Sequence, residues 1–192
     1  MSLLRRGFKT WCENAAANYR RELNVAVYGP LDPRALARHI GVLVWTPKEV
    51  PGLDPAVLRH LTVTDPQSWS AVTVRHAKGD VIVVNEAHVL GRQNNSLAHE
   101  ISHIVLDHKA AQFFVTADGK MMMAEYNATQ EEEADCLAGT LLVPRAALLT
   151  LLDRGYDNAR AAEFFGVTTD VLQMRRNLTG VGLQLSRRRS RT

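Results

Sequence analysis

The chain is poor in cysteine, since its 192 residues include only Cys12 and Cys136. Cys136 falls within the apolar pattern of a predicted helix, where a cysteine behaves as a small hydrophobic residue. We therefore expect a buried free thiol at this position, and neither a disulfide bond nor a metal ligand.

Long hydrophobic runs are also missing. No apolar segment approaches the ~18 residues that a membrane-spanning helix needs. The first ten residues contain Arg5, Arg6 and Lys9 and have no continuous apolar core of signal-peptide length. These absences predict a cytoplasmic protein.

Positive and negative residues are nearly balanced outside the C-terminus. The formal net charge is +3, and it comes from four arginines near the end of the chain, Arg187, Arg188, Arg189 and Arg191. Segment 186–192 is too polar to pack, so we expect residues 179–192 to form a basic, disordered tail. Such a tail is either an electrostatic contact for nucleic acid or an acidic partner or, more commonly, an inert solvated terminus.

The length and the hydrophobic content of 46% are sufficient for one sizeable core and leave little room for a second full domain. Apart from the tail, no repeat or low-complexity segment interrupts the chain. We expect residues 1–178 to form a single domain.

The spacing of apolar residues predicts helices first and strands afterwards. One helix is expected over about residues 4–23, and a short one follows Asp32 and Pro33. Strands are expected at 42–45, 71–75 and 81–84, the last two joined as a hairpin. These elements predict an α+β fold in which a small antiparallel sheet packs against helices.

One five-residue string carries recognisable chemistry. His99 and His103 lie four residues apart, so on a helix both imidazoles project from one side and can bind a single Zn²⁺. Glu100 lies beside them as a general base. This HExxH spacing is typical of a zinc peptidase, with the two histidines as metal ligands and Glu100 as the catalytic residue.

The surrounding sequence favours the helix that this reading needs. Segment 96–108 contains neither Pro nor Gly, and Asn94, Asn95 and Ser96 are suitable N-cap residues. The two histidines lie roughly opposite an apolar stripe formed by Leu97, Ile101, Ile104 and Val105. The alternative is a helix that holds two histidines by chance, and the position of the pair away from the stripe argues against it.

A second predicted helix offers a third ligand. It begins with Glu131, Glu132 and Glu133, and Asp135 lies one turn after Glu131. One glutamate would complete a three-ligand site with an open position, which is typical of catalytic zinc, while Asp135 can hydrogen-bond the far nitrogen of a ligand histidine. Composition does not identify the ligand among the three, and the other two are expected in a solvated first turn favoured by the helix dipole.

The two helices together resemble the ImmA/IrrE family of zinc metallopeptidases, which has a gluzincin-like ligand set. In that family the HExxH helix is followed by an acidic helix that ends in a Leu-Leu-Val-Pro-like stop, here at Pro144. The family's third ligand is a Glu four residues before an Asn or Asp and thirteen before the Pro, and both counts give Glu131. A hydrophobic strand ending in Asn85 and an Arg-Gln pair at Arg92 also match, and the resemblance covers roughly residues 18–178.

The chain departs from the family pattern in segment 94–98, which reads Asn-Asn-Ser-Leu-Ala where many relatives have an Arg-Phe-Thr-Leu-Ala-like run. Local packing or substrate contacts are expected to differ there. We expect no additional sensory domain after residue 178, so the chain resembles the compact form of the family.

The resemblance implies a function. It implies one Zn²⁺ per chain and a metalloendopeptidase that cuts a helix-turn-helix transcriptional repressor at a limited site, relieving repression of mobile-element or stress-response genes. A His₂Glu set also binds manganese or iron, and zinc is the choice that the family favours.

An additional hydrogen-bond donor is expected to stabilise the oxyanion of the transition state. Tyr126 is one candidate, since it precedes Glu131 by five residues, although a packing role is equally consistent with the sequence. His108 is the other. It projects to the same side as His103 but lies about 7.5 Å further along the helix axis, which makes it a poor third ligand unless the helix is broken between them.

The loop over about 109–127 contains an apolar cluster that predicts either a specificity pocket or a hydrophobic flap packed on the core. Its members are Phe113, Phe114, Met121, Met122 and Met123.

The hairpin at 71–84 is a candidate for substrate binding, because a sheet edge beside the cleft commonly takes a peptide in extended form. We hypothesise that one of its strands does so. The alternative is that both strands are purely structural, and the sequence does not show which edge is free.

Residues 157–178 predict two helices joined by a turn at Gly166, the layout of a helix-turn-helix. Arg175 and Arg176 would lie on the second helix. Packed helices with such a turn also occur without DNA, so direct nucleic-acid binding is the less favoured reading.

Two other functions remain open from the sequence. One is a regulatory module that contacts DNA or a repressor without cleavage, and the other is a component of a toxin system. The complete set of His99, Glu100, His103 and Glu131 argues against a degenerate enzyme.

Overall fold

The computed structural model describes residues 4–75, 79–109, 113–115, 121–123 and 127–189. The helices are α1 (Phe8–Glu22), α2 (Pro33–His39), α3 (Pro55–Arg59), α4 (Leu90–Val105), α5 (Ala128–Leu142), α6 (Arg145–Asp153), α7 (Asn158–Phe165), α8 (Thr169–Thr179) and α9 (Val181–Arg189). A 3₁₀ turn covers Pro47–Glu49, and a π-helical turn, His60–Thr64, continues α3. The strands are β1 (Leu43–Trp45), β2 (Ala71–Val74), β3 (Val81–Val84), β4 (Phe113–Val115) and β5 (Met121–Met123).

The α+β fold class is confirmed, with a three-stranded sheet in the order β1-β3-β2. β2 and β3 form the predicted antiparallel hairpin, in which Thr73 is opposite Ile82. The expectation of a purely antiparallel sheet is wrong for β1, which pairs parallel to β3. A parallel pair needs a crossover connection, and residues 46–80, which include α3, provide one.

The sheet and the two long central helices share their hydrophobic core. β3 is the middle strand, and its Val-Ile-Val-Val sequence is largely buried, whereas every second residue of β2 is exposed. Leu97 and Ile101 of α4 pack with Leu137 and Leu141 of α5 against this sheet and α1. Each of these buried side chains contributes about 1.5–3 kcal/mol relative to exposure to water. The core therefore fixes α4 and α5 side by side.

A second hydrophobic cluster lies on the other side of α5. Leu142 contributes to it together with α6, α7, α8 and α9. Val181 and Leu185 of α9 are buried in this cluster, so the predicted disorder of the C-terminal tail is wrong for residues 181–189. These two apolar residues lie one helical turn apart and form the buried side of α9. The sequence does not reveal this side readily, because three consecutive arginines follow it. Residues 190–192 lie outside the described residues.

Helix α4 begins at Leu90, before all three predicted N-cap residues. Val89 precedes its first turn without a side-chain cap. Asn94 and Asn95 lie inside the helix, where their Nδ2 atoms donate to the Gly166 carbonyl and to Thr168 Oγ1, both at 2.9 Å. These polar side chains bind the α7–α8 turn rather than their own helix end, so the predicted N-caps are wrong.

Gly91 allows α4 to approach the same turn closely. A Cβ at this position would lie 2.9 Å from the Val167 carbonyl carbon and 3.0 Å from its oxygen. We expect Gly91→Ala to lower the free energy of unfolding by about 1–3 kcal/mol, because the clash is with backbone that must move. Urea denaturation would measure it, with Gly182→Ala in α9 as control. An equal stability of the Gly91 variant and the control would contradict the close packing.

Both cysteines are free and buried in the core formed by α1, α5 and the sheet, which confirms the expectation for Cys136. Contact with Cys136, together with burial, raises the pKa of the Cys12 thiol.

Among the described residues, no single helix is both long and apolar enough to cross a membrane. The consecutive helices α5 and α6 meet the criteria only when taken together, and they are bent by 50° at their junction.

Candidate metal centre

Two imidazoles on α4 face one another at the α4–α5 interface. The Nε2 atoms of His99 and His103 are 3.0 Å apart, as expected for residues one helical turn apart. Leu97 and Ile101 lie on another side of the helix and are buried in the core, whereas both histidines are only partly buried and contact Glu131 of α5. The pair therefore shares one region of space.

Glu131 of α5 completes the group. Its Oε2 is 3.3 Å from His99 Nε2, and its Oε1 is 3.6 Å from His103 Nε2. The three side chains offer ligand atoms that all lie within 4.8 Å of one another. Asn127 caps α5 by accepting hydrogen bonds from the Thr129 and Gln130 amides, which sets Glu131 in the first turn. The geometry thus selects Glu131 from the three adjacent glutamates.

The far nitrogen of His99 is bound as the sequence predicts. His99 Nδ1 lies 2.9 Å from Asp135 Oδ1, one turn along α5 from Glu131. Burial acts to lower the pKa of His99, but the hydrogen bond and charge of Asp135, with the charges of Glu100 and Glu131, outweigh burial and raise it. The Asp135 carboxylate orients the His99 ring and leaves its Nε2 directed towards His103 and Glu131.

His103 is held in the neutral form that a metal requires. Burial, reinforced by repulsion from His99, lowers its pKa to about 4. Near neutral pH its ring therefore carries a lone pair rather than a positive charge.

Glu100 lies on an open cleft and is held by a residue that sequence reasoning did not identify. The Thr73 hydroxyl, on β2, donates a hydrogen bond to Glu100 Oε2. The cleft has a volume of about 270 Å³, and it is lined by Ser70, Ala71, Asn95, Ser96, His99, Glu100 and Asp135. Strand alternation places Ala71 and Thr73 on one face of β2, but only the tertiary packing shows that this face meets α4.

His108 is not placed to stabilise a transition state, contrary to the sequence prediction. The predicted separation of His103 and His108 along the helix axis holds only if the helix is unbroken. In the structure α4 ends at Val105, and Asp107 adopts a left-handed conformation with φ of 51°. The chain turns back, and His108 Nδ1 lies 3.0 Å from Nδ1 of His103. That nitrogen is on the side of the His103 ring opposite to the one that faces Glu131. The other candidate, Tyr126, lies outside the described residues.

The loop at 109–127 is described only in part. The backbones of β4 and β5 pair antiparallel, with Phe114 opposite Met122. The predicted pocket or flap concerns side chains outside the described residues and stays a prediction.

The helix pair at 157–178 is present as α7 and α8, with Gly166 in a left-handed conformation between them. Arg175 is only 3% exposed; it donates to the Val143 carbonyl at 2.9 Å and pairs with Glu13 at 2.6 Å. Arg176 donates to Asn158 Oδ1. Both guanidinium groups thus hold the protein together internally, which weakens the case for DNA contacts by this helix.

The donor set fits a divalent metal. Two imidazole nitrogens and one carboxylate, all from helices fixed by a shared core, match a His₂Glu catalytic site with one position left for water or substrate. The adjacent cleft gives that position access from solvent.

Comparison with known proteins agrees with this geometry. No curated protein and no solved structure shows significant similarity to the chain. Residues 57–177, more than half of the chain, match the model of the M78 peptidase family, described as an IrrE N-terminal-like domain. The matched range contains the HExxH helix, β2, β3 and α5. The chain therefore belongs to the ImmA/IrrE family of metallopeptidases.

Proposed function

We propose that this protein is a zinc-dependent endopeptidase that cuts a helix-turn-helix transcriptional repressor at a limited site and so relieves repression. The observation that carries the enzymatic part is the placement of His99, His103 and Glu131 around one point with Glu100 on the adjoining cleft. The repressor is an inference from the family. A transcription factor as substrate would place the enzyme in the cytoplasm.

The residues of the chain divide the chemistry among themselves. A zinc ion held by His99, His103 and Glu131 would lower the pKa of a bound water and polarise the scissile carbonyl. Thr73 engages Glu100 Oε2, and we assign Oε1 as the oxygen that accepts the water's proton and passes it to the leaving amine. Asp135 keeps the His99 ring oriented through its Nδ1.

The same geometry supports substrate binding along β2. Among the strands that the structure describes, β2 lies at the edge of the three-stranded sheet, and Ala71 lines the cleft. The Asn85 amide donates to the Ser70 carbonyl at 2.9 Å, so in the antiparallel register Ser70, Val72 and Val74 direct their backbone groups towards β3. The alternate residues, Ala71 and Thr73, direct theirs outwards. An extended peptide can pair with those groups by strand addition.

Substitution of Ala71 by proline tests this binding mode. The Ala71 amide faces outwards, so Ala71→Pro removes a donor to the substrate without removing one from the β2–β3 pair. We expect the value of kcat/KM for peptide cleavage to fall by about 10-fold or more, since one net hydrogen bond contributes about 1.5 kcal/mol at most and the pyrrolidine ring adds a steric block. Zinc content should be unchanged.

Ala71→Ser is the matched control, because it keeps the amide and nearly the same volume. Cleavage by the proline variant at the rate of the serine variant would remove β2 as the binding edge.

Incubation of the zinc-loaded protein with purified helix-turn-helix repressors, beginning with any encoded beside its gene, tests the substrate. We expect two defined fragments by mass spectrometry. Zinc binding without cleavage of any such repressor would leave the metal centre in place and reject the substrate.

A further inference from the structure

His108 and Glu133 form a connected group behind the metal ligand His103. The His108 side chain is 6% exposed, and that of Glu133 is 16% exposed. His108 Nδ1 is 3.0 Å from His103 Nδ1, and His108 Nε2 is 3.3 Å from Glu133 Oε2. The hydrogen bonds therefore lead from the ligand, through a second imidazole, to a carboxylate on α5.

The position of His108 is held from several directions. Its amide donates to the His103 carbonyl at 3.0 Å, which closes the turn made by Asp107. Arg75, which follows β2, reaches the carbonyls of both His103 and His108 at 3.4 Å. The ring of His108 is thus fixed against the His103 ring, with their centroids 5.0 Å apart.

Chemistry dictates the direction of every hydrogen bond in this group. A histidine that binds metal through Nε2 carries its proton on Nδ1, so His103 Nδ1 donates and His108 Nδ1 accepts. His108 must then carry its own proton on Nε2, and it donates that proton to the Glu133 carboxylate. A carboxylate at this end is the partner that stabilises the arrangement, because it can only accept.

From this arrangement we propose that His108 and Glu133 are positioning residues that set the tautomer and ring orientation of His103 for the metal. The inference rests on the proposed metal centre. It gives each ligand histidine an acidic anchor on α5: Asp135 acts directly on His99, and Glu133 acts on His103 through His108. Glu133 is accordingly not an idle member of the Glu131–Glu133 run.

Variants of His108 test the proposal through zinc affinity. His108→Leu removes the acceptor, and we expect the Kd for zinc, measured by competition with a chelator, to rise about 10–100-fold. His108→Asn should restore most of the affinity, because its side-chain oxygen can accept from His103 Nδ1. Glu133→Gln should raise the Kd less than His108→Leu does, with Glu132→Gln as the neighbouring control.

The tautomer of His103 provides a second readout that needs no metal. Long-range ¹H–¹⁵N spectra of the metal-free protein should show His103 protonated at Nδ1 in wild type and in His108→Asn. In His108→Leu the proton should move to Nε2, which neutral imidazoles favour when no partner holds Nδ1.

The outcomes separate this inference from the proposed function. An unchanged tautomer together with a zinc Kd within twofold of wild type in His108→Leu would overturn the positioning role. Failure of wild type to bind zinc would instead reject the metal centre, and a tautomer shift in the metal-free variants would still support the hydrogen-bonded group. Circular dichroism of the Asn and Leu variants would show whether both fold.

Discussion

Glu100→Gln is expected to reduce the kcat for peptide cleavage by about 10²–10⁴-fold, the usual contribution of a positioned general base. The amide cannot accept a proton from water, but it is similar in shape and can still accept the Thr73 hydroxyl hydrogen bond. The metal ligands are untouched, so zinc content and the unfolding temperature should match those of wild type. Steady-state cleavage assays at saturating substrate would measure the loss of kcat.

A matched control is Glu163→Gln, which makes the same chemical change at an exposed residue of α7. Its rate should stay close to that of wild type. If Glu100→Gln retained more than a tenth of the wild-type rate, another group would have to act as the base.

Of the proposed substitutions, Glu131→Gln is expected to weaken zinc binding the most. Wild type should hold about one zinc per chain, whereas Glu131→Gln replaces an anionic ligand that lies within 3.6 Å of both histidines by a neutral amide. Substitution of a residue that only hydrogen-bonds a metal ligand typically weakens metal binding about 10–100-fold. We therefore expect substitution of the ligand itself to raise the Kd for zinc by more than ~100-fold. Elemental analysis after dialysis against a weak chelator would show the difference.

Glu132→Gln is the control for this experiment, since it changes an adjacent carboxylate that is outside the ligand group. It should retain full zinc content. Equal zinc in the Glu131 and Glu132 variants would mean that the structure selects the wrong glutamate.

The parts of the site that depend on helix periodicity were predictable from the sequence. An α-helix has 3.6 residues per turn, so residues four apart, such as His99 and His103, lie on the same side of the helix. The same spacing relates Glu131 to Asp135. Both pairs lie within regular helices, so local geometry determines which side chains share a face.

The missed features depend on contacts between distant segments or on a break in local geometry. Thr73 meets Glu100 only because β2 packs on α4, and no periodicity within either segment reveals that contact. The partnership of His108 with His103 depends on a left-handed residue at Asp107, a conformation that Asp adopts more readily than most residues but not predictably.

The predicted boundaries failed where tertiary bonds replaced local ones. Asn94 and Asn95 resemble N-caps by composition, yet their side chains satisfy backbone and hydroxyl groups of the α7–α8 turn. In α9, the burial of Val181 and Leu185 keeps the segment helical and packed on the core, although arginines make up its C-terminal end.

Helix α5 contributes to the cores on both of its sides and also carries Glu131. Displacement of this helix would open both cores, so metal release by that route is tied to loss of the folded state. By thermodynamic linkage, zinc at 100 times its Kd would add about 2.7 kcal/mol to the stability of the protein. Conversely, the two cores hold Glu131 in place before any metal arrives, so the entropy of ordering the ligand helix is lost during folding and does not weaken metal binding.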